Sequence, residues 1–222
     1  MNEKNTLTQG GLGKPPTLER LACKQGRNDE APNIELAEKL CADMDARGVC
    51  EVAAGLKSSD TAIVNDCIKV LYEVGQRKPE LIADFADDFV SALSGKNNRL
   101  VWGSMTALVY IATQKAEVLW KRFPEIFAAY QKGSVITVDN AVSVFANMCR
   151  AGEPYRTQIF PLLTAHLAAC RAKEVAQHAE RISVCVDADN RDEFIAVLTA
   201  RTGELSAAQN ARLTRVIKAA ER

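Results

Sequence analysis

The stretch KNNRLVWGSMTALVYIA, residues 96–112, places Val101, Met105, Leu108 and Ile111 on one face of a helix, yet opens with Asn97, Asn98, Arg99 and then Trp102. A step of 37 residues back reaches SDTAIVNDCIKVLYEVG at 59–75, and the same step forward reaches GSVITVDNAVSVFANMC at 133–149. Val64, Leu71 and Val74 become Val101, Leu108 and Ile111, then Val138, Phe145 and Met148, then Val175, Ile182 and Cys185. The small-residue slot Cys67 becomes Ser104, Ala141 and then His178. Copies in one register mark a stacked array, in which each unit buries its apolar face only against its neighbours.

The segment ahead of each of these helices repeats as well. Val52, Ala53 and Leu56 step to Phe89, Val90 and Leu93, then to Ile126, Phe127 and Tyr130, then to Leu163, Thr164 and Leu167. Each unit is therefore two amphipathic helices. Gly48, Ser58-Ser59-Asp60, Lys78-Pro79, Gly95-Lys96-Asn97, Lys132-Gly133-Ser134 and Gly152-Glu153-Pro154 mark the boundaries with helix-stop and helix-start chemistry. The one β-branched run, SVITV at 134–138, opens a helix by register.

Residues 1–32 read as a flexible N-terminal tail, with a short helix at 17–24 turning Leu18, Leu21 and Ala22 inward. Asn33 is expected to cap a helix through about Arg47 that buries Ile34, Ala37, Leu40, Cys41 and Met44. Residues 33–222 form one repeat domain, of which 189–222 is a C-terminal cap. In that cap Phe194, Ile195, Val197 and Leu198 make one helix, and Leu213, Val216, Ile217 and Ala220 another, with Arg212, Arg215, Lys218 and Arg222 outside.

Composition narrows the function. Lys plus Arg and Asp plus Glu are 28 each, so the whole chain carries no positive field for nucleic acid or an anionic membrane. Aromatic content of 6% leans away from an all-β sandwich. Seven cysteines without CxxC pairing read as reduced thiols; with no signal-peptide pattern and no run of 18 apolar residues, a cytoplasmic chain without membrane contact is expected.

The pairs Phe123-Pro124 and Phe160-Pro161 lie 37 apart inside first helices, Asp60, Asn97 and Ser134 precede second helices, and those helices close as LYEVG at 71–75 and LVYIA at 108–112. In these features, over residues 33–222, the chain resembles HEAT-type α-solenoids of the armadillo/HEAT superfamily. The resemblance implies an all-α, right-handed α-α superhelix of about four to five helical pairs. The period of 37 is shorter than the roughly 40–47 of HEAT and armadillo units and longer than the roughly 34 of tetratricopeptide repeats. HEAT repeats often set an Arg five or six residues after the Asp as a ladder between units. Those slots hold Asn65 and Asp66, Trp102 and Gly103, then Asp139 and Asn140, so an array without a polar ladder, relying on packing, is expected.

HEAT-like arrays line their concave face with second helices. On the non-core side of those helices stand Asn98, Arg99 and Trp102, with Asn65, Lys69, Asp139 and Asn140 at or near equivalent places, and this set is the expected interaction face. Trp102 either fills the groove between units or joins Arg99 as a binding anchor. The expected function is a non-enzymatic protein-interaction or scaffold module for a protein partner. The alternative is a nucleic-acid-binding HEAT-like protein related to DNA-alkylation repair glycosylases, against which the mixed charge of Lys69, Arg99, Asp66 and Asp139 stands. No catalytic set, cofactor or metal is expected. His166 and His178 sit 12 apart on successive helices and read as satisfied packing histidines, Asp87-Asp88 and Asp187/Asp189 as solvated charge, and GGLG at 10–13 follows no strand.

Overall fold

The computed structural model describes residues 16–221; Arg222 and the Gly- and Pro-rich segment 1–15, expected from its composition to be flexible, lie outside the described residues. Helix α1 (Ala31–Ala42) is followed by the pair α2 (Ala46–Gly55) and α3 (Thr61–Arg77), then by α4 (Ala86–Ala92) and α5 (Asn98–Ile111). The third unit has α6 (Ala116–Lys121), α7 (Phe123–Lys132) and α8 (Val135–Arg150), and the fourth α9 (Glu153–Ala169) and α10 (Ala172–Ile182). A last pair, α11 (Arg191–Ala200) and α12 (Ala207–Ala220), closes the array, and no strand occurs among the described residues.

The period is visible first in the helix starts. Asp60, Asn97, Ser134 and Arg171, each 37 after the last, precede α3, α5, α8 and α10. Asp60 accepts from the backbone N–H of Ala62, Asn97 from Arg99 and Leu100, and Ser134 from Thr137. Each satisfies donors that a helix start leaves without an intrahelical partner. SVITV therefore does open a helix, leaving Val135 and Ile136 exposed.

Second helices form one continuous layer, since α1, α3, α5, α8, α10 and α12 pack each on the next. The partners α2, α4, α7 and α9 lie against α3, α5, α8 and α10. Inside this double layer Leu71, Leu108, Phe145 and Ile182 are all buried, as are Val74, Ile111, Met148 and Cys185. The small slot Cys67, Ser104, Ala141 and His178 is fully buried in all four units. Of the leading valines, Val64, Val101 and Val175 are buried and Val138 is half-buried.

Four local expectations are corrected. Asn33 is not a cap: α1 starts two residues earlier, Asp29 accepts the Ala31 N–H at 3.0 Å, and Asn33 is buried within the helix. The helix ends at Ala42, because Met44 adopts φ 49° and turns its side chain out, and α2 begins at Ala46. Gly48 lies inside α2, where a Cβ would stand 2.5 Å from Leu40 Cδ2, so this glycine serves close packing. The two prolines also differ: Pro161 is inside α9, whereas Pro124 sits in the first turn of α7 and separates it from α6.

Residues 17–25 form two short 3-10 helices, Thr17–Arg20 and Cys23–Gln25, and Leu21 and Ala22 between them are buried. They cover α1, α2 and α3 at the end of the layer. At the other end α12 buries Leu213 and Val216 and keeps Arg215 and Lys218 exposed.

This packing generates a direct test. Leu108, fully buried between units, should cost roughly 2–5 kcal/mol when cut to alanine, while Asn98→Ala on the exposed first turn of α5 should stay within about 0.5 kcal/mol. Equal denaturation midpoints for the two variants would contradict the layer assignment.

Candidate functional site

The joints between second helices are bridged by polar side chains, contrary to the expectation of packing alone. From α1 to α3, Asn33 Nδ2 donates to Asp66 Oδ1 at 2.8 Å, and Asn33 Oδ1 accepts the Ala22 N–H. From α3 to α5, Asn97 Nδ2 donates to Asn65 Oδ1 at 2.8 Å. Between α5 and α8, Asn140 donates to Thr106 Oγ1 at 2.7 Å and Asn147 to the Val109 carbonyl at 2.9 Å. Between α8 and α10, Gln177 and His178 both reach Asp139, and Arg181 donates to Ser143 Oγ. The residues in place of an arginine ladder thus perform the same task, for the most part with neutral amides.

Charge concentrates at the joint of α1, α3 and α5. Lys69 is buried, with Nζ 2.9 Å from Glu30 Oε2 and 2.8 Å from Glu73 Oε1. Arg99 pairs with Glu30 from α5, and Arg77 joins Glu73 to Glu38 on α1. Burial opposes ionisation of Glu30 and Glu73, but hydrogen bonds from Lys69 with Arg99, and from Lys69 with Arg77, hold both carboxyls below their ordinary value. Burial likewise opposes the Lys69 ammonium, and its bonds to Glu73, Tyr72 and Glu30 overcome this and hold its pKa above the ordinary lysine value.

Above this network lie two aromatic rings. Tyr72 and Trp102 are half-buried, their centroids 5.9 Å apart; Lys69 Nζ is 4.8 Å from the Tyr72 ring and the Arg99 guanidinium carbon 5.8 Å from the Trp102 ring. Gly103 beside Trp102 permits the approach, since a Cβ there would meet Ile68 Cγ1 at 2.7 Å.

The residues expected on one face therefore divide. Arg99, Trp102 and Lys69 are gathered with Tyr72, Glu30 and Glu73. Asn65, Asp139 and Asn140 are committed to the joints. Asn98 lines a separate cavity of about 510 Å³ with Lys96, Glu125 and Lys132, between the second and third units. Tyr72, Glu30 and Glu73 escaped the sequence reading; Tyr72 and Glu73 stand one turn beyond Lys69 on the same helix, a usable signal, whereas nothing local ties Glu30 to α3. The basic cap helix is partly neutralised, because Arg212 pairs with Glu180.

A second polar cluster lies at the joint of the third and fourth units. His166 Nδ1 is 2.8 Å from the Tyr130 hydroxyl, His166 Nε2 is 2.7 Å from His178 Nδ1, and His178 Nε2 is 2.9 Å from Asp139 Oδ1. Burial, aided by the neighbouring His178, pushes the His166 pKa down to about 4, so its ring is neutral at pH 7. All four ring nitrogens thus have a partner within the joint.

No family model and no curated protein matches the chain. Solved structures do. A designed armadillo repeat protein in complex with peptide (KR)4 is similar with TM-score 0.64 and 12% identity over 84% of each chain. Computationally designed armadillo repeat proteins for modular peptide recognition are similar with TM-score 0.63 and 11% identity, over 92% of this chain and 98% of theirs. A homology model of the full-length AP-3 complex in an intermediate open conformation is similar with TM-score 0.63 and 17% identity, over 90% of this chain and 36% of that one. The fold is thus a HEAT/armadillo-like helical repeat.

The ion network predicts an acid response. Carboxyls held below their ordinary value of 4.5 stabilise the fold above that pH, and the contribution is lost as pH falls through their folded values. Lys69→Met should cost on the order of 1–3 kcal/mol at pH 7 and should narrow its gap to wild type between pH 4.5 and 3. Stability differences that stayed the same at pH 7, 4 and 3 would show that Lys69 is not what holds these carboxylates ionised.

Proposed function

We propose that this repeat array is a non-enzymatic scaffold that binds a protein partner as an extended segment across the second-helix layer, anchored at Trp102, Arg99 and Tyr72. The observation that carries the reading is the half-buried Tyr72–Trp102 pair with cations over both rings at the joint of α3 and α5. Tyr, Trp and Arg at a well-packed centre have the composition of an energetic hot spot. A rigid joint beneath them, fixed by Lys69, Glu30 and Glu73, holds the rings in place before any partner arrives, which limits the ordering cost of binding.

Two similar structures support the choice of an extended segment, one designed for modular peptide recognition and one in complex with a peptide. All seven cysteines are free, which suits a reducing compartment such as the cytoplasm. No helix among the described residues is long and apolar enough to cross a membrane.

Selection of a random peptide library on the whole chain gives the test. Selected peptides should bind wild type and lose at least about tenfold in affinity to Trp102→Ala, with a larger loss for the Arg99→Gln, Trp102→Ala double variant, each variant shown to be folded by a cooperative melting transition. Peptides that bind both proteins equally would move the site elsewhere. Duplex DNA bound with a steep salt dependence, in the absence of any peptide ligand, would instead establish the nucleic-acid-binding reading.

A further inference from the structure

A cavity of about 350 Å³ opens between α7 and α9. Its wall is apolar through Phe127, Leu162, Ala165 and Ala169, and the groups that break this wall are Tyr130, His166 and Cys170. Behind His166 stands His178, fully buried in the slot that the other units fill with Cys67, Ser104 and Ala141. The donor atoms of His166, Cys170 and His178 all lie within 4.8 Å of one another. We propose that these three side chains form a metal site for a zinc-class divalent ion, with a water in the fourth position facing the cavity.

The outer nitrogen of each ring already faces an oxygen that can accept its proton, as in ligand histidines. His178 Nε2 faces Asp139 Oδ1 at 2.9 Å, and His166 Nδ1 faces the Tyr130 hydroxyl at 2.8 Å. Such oxygens fix ring orientation and keep the remote nitrogen protonated, leaving the near one as a lone pair. Here the two near nitrogens, His166 Nε2 and His178 Nδ1, point at each other across 2.7 Å. Without an ion, Tyr130 donates to His166 Nδ1 and the His166 Nε2–H bridges to His178. With one, the His166 proton shifts to Nδ1, the Tyr130 hydroxyl turns to accept it, and both lone pairs face the ion. The Cys170 thiol releases its proton to solvent through the cavity.

The ion sets the required adjustment. Tetrahedral zinc with nitrogens at about 2.0 Å separates them by about 3.3 Å, so the rings must part by about 0.6 Å and tilt until both lone pairs meet the ion, which lies off the line between them. Cys170 is half-buried at the end of α9, and its thiol makes a long 3.8 Å hydrogen bond to the Leu167 carbonyl and also faces the Arg201 guanidinium, which donates to the Cys170 carbonyl at 2.8 Å, so rotation toward the ion gives up these two weak partners. Charge is matched nearby as well: the Cys170 thiolate and the Asp139 carboxylate behind His178 offset a dication, and Glu174 and Arg201, which also act on this cluster, are of opposite sign. Two imidazoles and a thiolate select zinc over magnesium or calcium, which prefer oxygen.

The experiment uses the full chain, reduced and stripped of metal, titrated with Zn2+ alone against a chromophoric chelator, and with Co2+ for its spectrum. One zinc per chain is expected, with a rise in melting temperature for wild type. Affinity should fall at least about tenfold in His166→Gln and Cys170→Ser, and by a similar factor in the supporting variant Asp139→Asn. Cobalt should give a thiolate charge-transfer band that Cys170→Ser lacks. Cys50→Ser, which removes an exposed thiol on α2, should change nothing. The melting shift of wild type needs no variant, so folding defects do not decide the outcome. Absence of zinc binding by wild type would overturn the proposal. So would binding that survives both ligand variants, or that Cys50→Ser abolishes.

Discussion

Every joint of this array depends on the close contact of one second helix with the next. Five such contacts run from α1 to α12, and a loosened one would expose the apolar faces on either side. Close approach explains the small slot at Cys67, Ser104 and Ala141, and Gly103, where any side chain would collide with Ile68. It also explains why most polar groups at the joints are paired, with Ser104 Oγ and Arg99 Nε as exceptions. Once helices are close enough to exclude water, an unmatched amide between them costs about 1–3 kcal/mol, whereas a matched one fixes register.

That requirement accounts for the missing arginine ladder. An arginine needs room for its fork and an acid within reach, while Asn65, Asn97, Asn140 and Asn147 span a tighter gap with a shorter, uncharged group. Among the described residues only the joint of α1, α3 and α5 buries a lysine, and there Lys69 is shared between two carboxylates so that its buried charge does not stand alone. The same ion cluster carries Tyr72 and Trp102, with Lys69 set over the Tyr72 ring and Arg99 over the Trp102 ring.

The period and the N-caps were legible in the sequence because both are set by residues close together along the chain. Asp60, Asn97 and Ser134 each act on backbone within three residues, and Leu71, Leu108, Phe145 and Ile182 repeat with the helical wheel. What escaped was decided across elements. Asn33 looks like a cap, yet it is buried because Asp66, 33 residues away, and the Ala22 N–H satisfy it. Lys69 looks like a solvent-facing cation until Glu30 arrives from the start of α1. Gly48 reads as a stop, but its lack of a side chain is used against Leu40. For the residues expected on one face, periodicity gave the helix side, and the division between those that bridge joints and those gathered around Lys69 was not legible.

Where a repeat departs from its own rule, some local interaction must compensate. The fourth unit departs twice, since Arg171 supplies no side-chain cap to α10 and His178 replaces a small residue in a fully buried slot. A ring in that position displaces volume that Cys67, Ser104 and Ala141 leave to their neighbours, and it brings two nitrogens into a dry interior. The aromatic run Phe123, Phe145, Tyr130 and His166, with successive centroids 5.2, 5.6 and 5.6 Å apart, leads to that ring, which lies 4.7 Å from His166. Asp139, which in this array bridges α8 to α10, then serves both the joint and the imidazole. A histidine pair held at every nitrogen, with one ring kept neutral by burial, is a larger investment of polar contacts than packing demands, because an alanine would fill the slot without any of them.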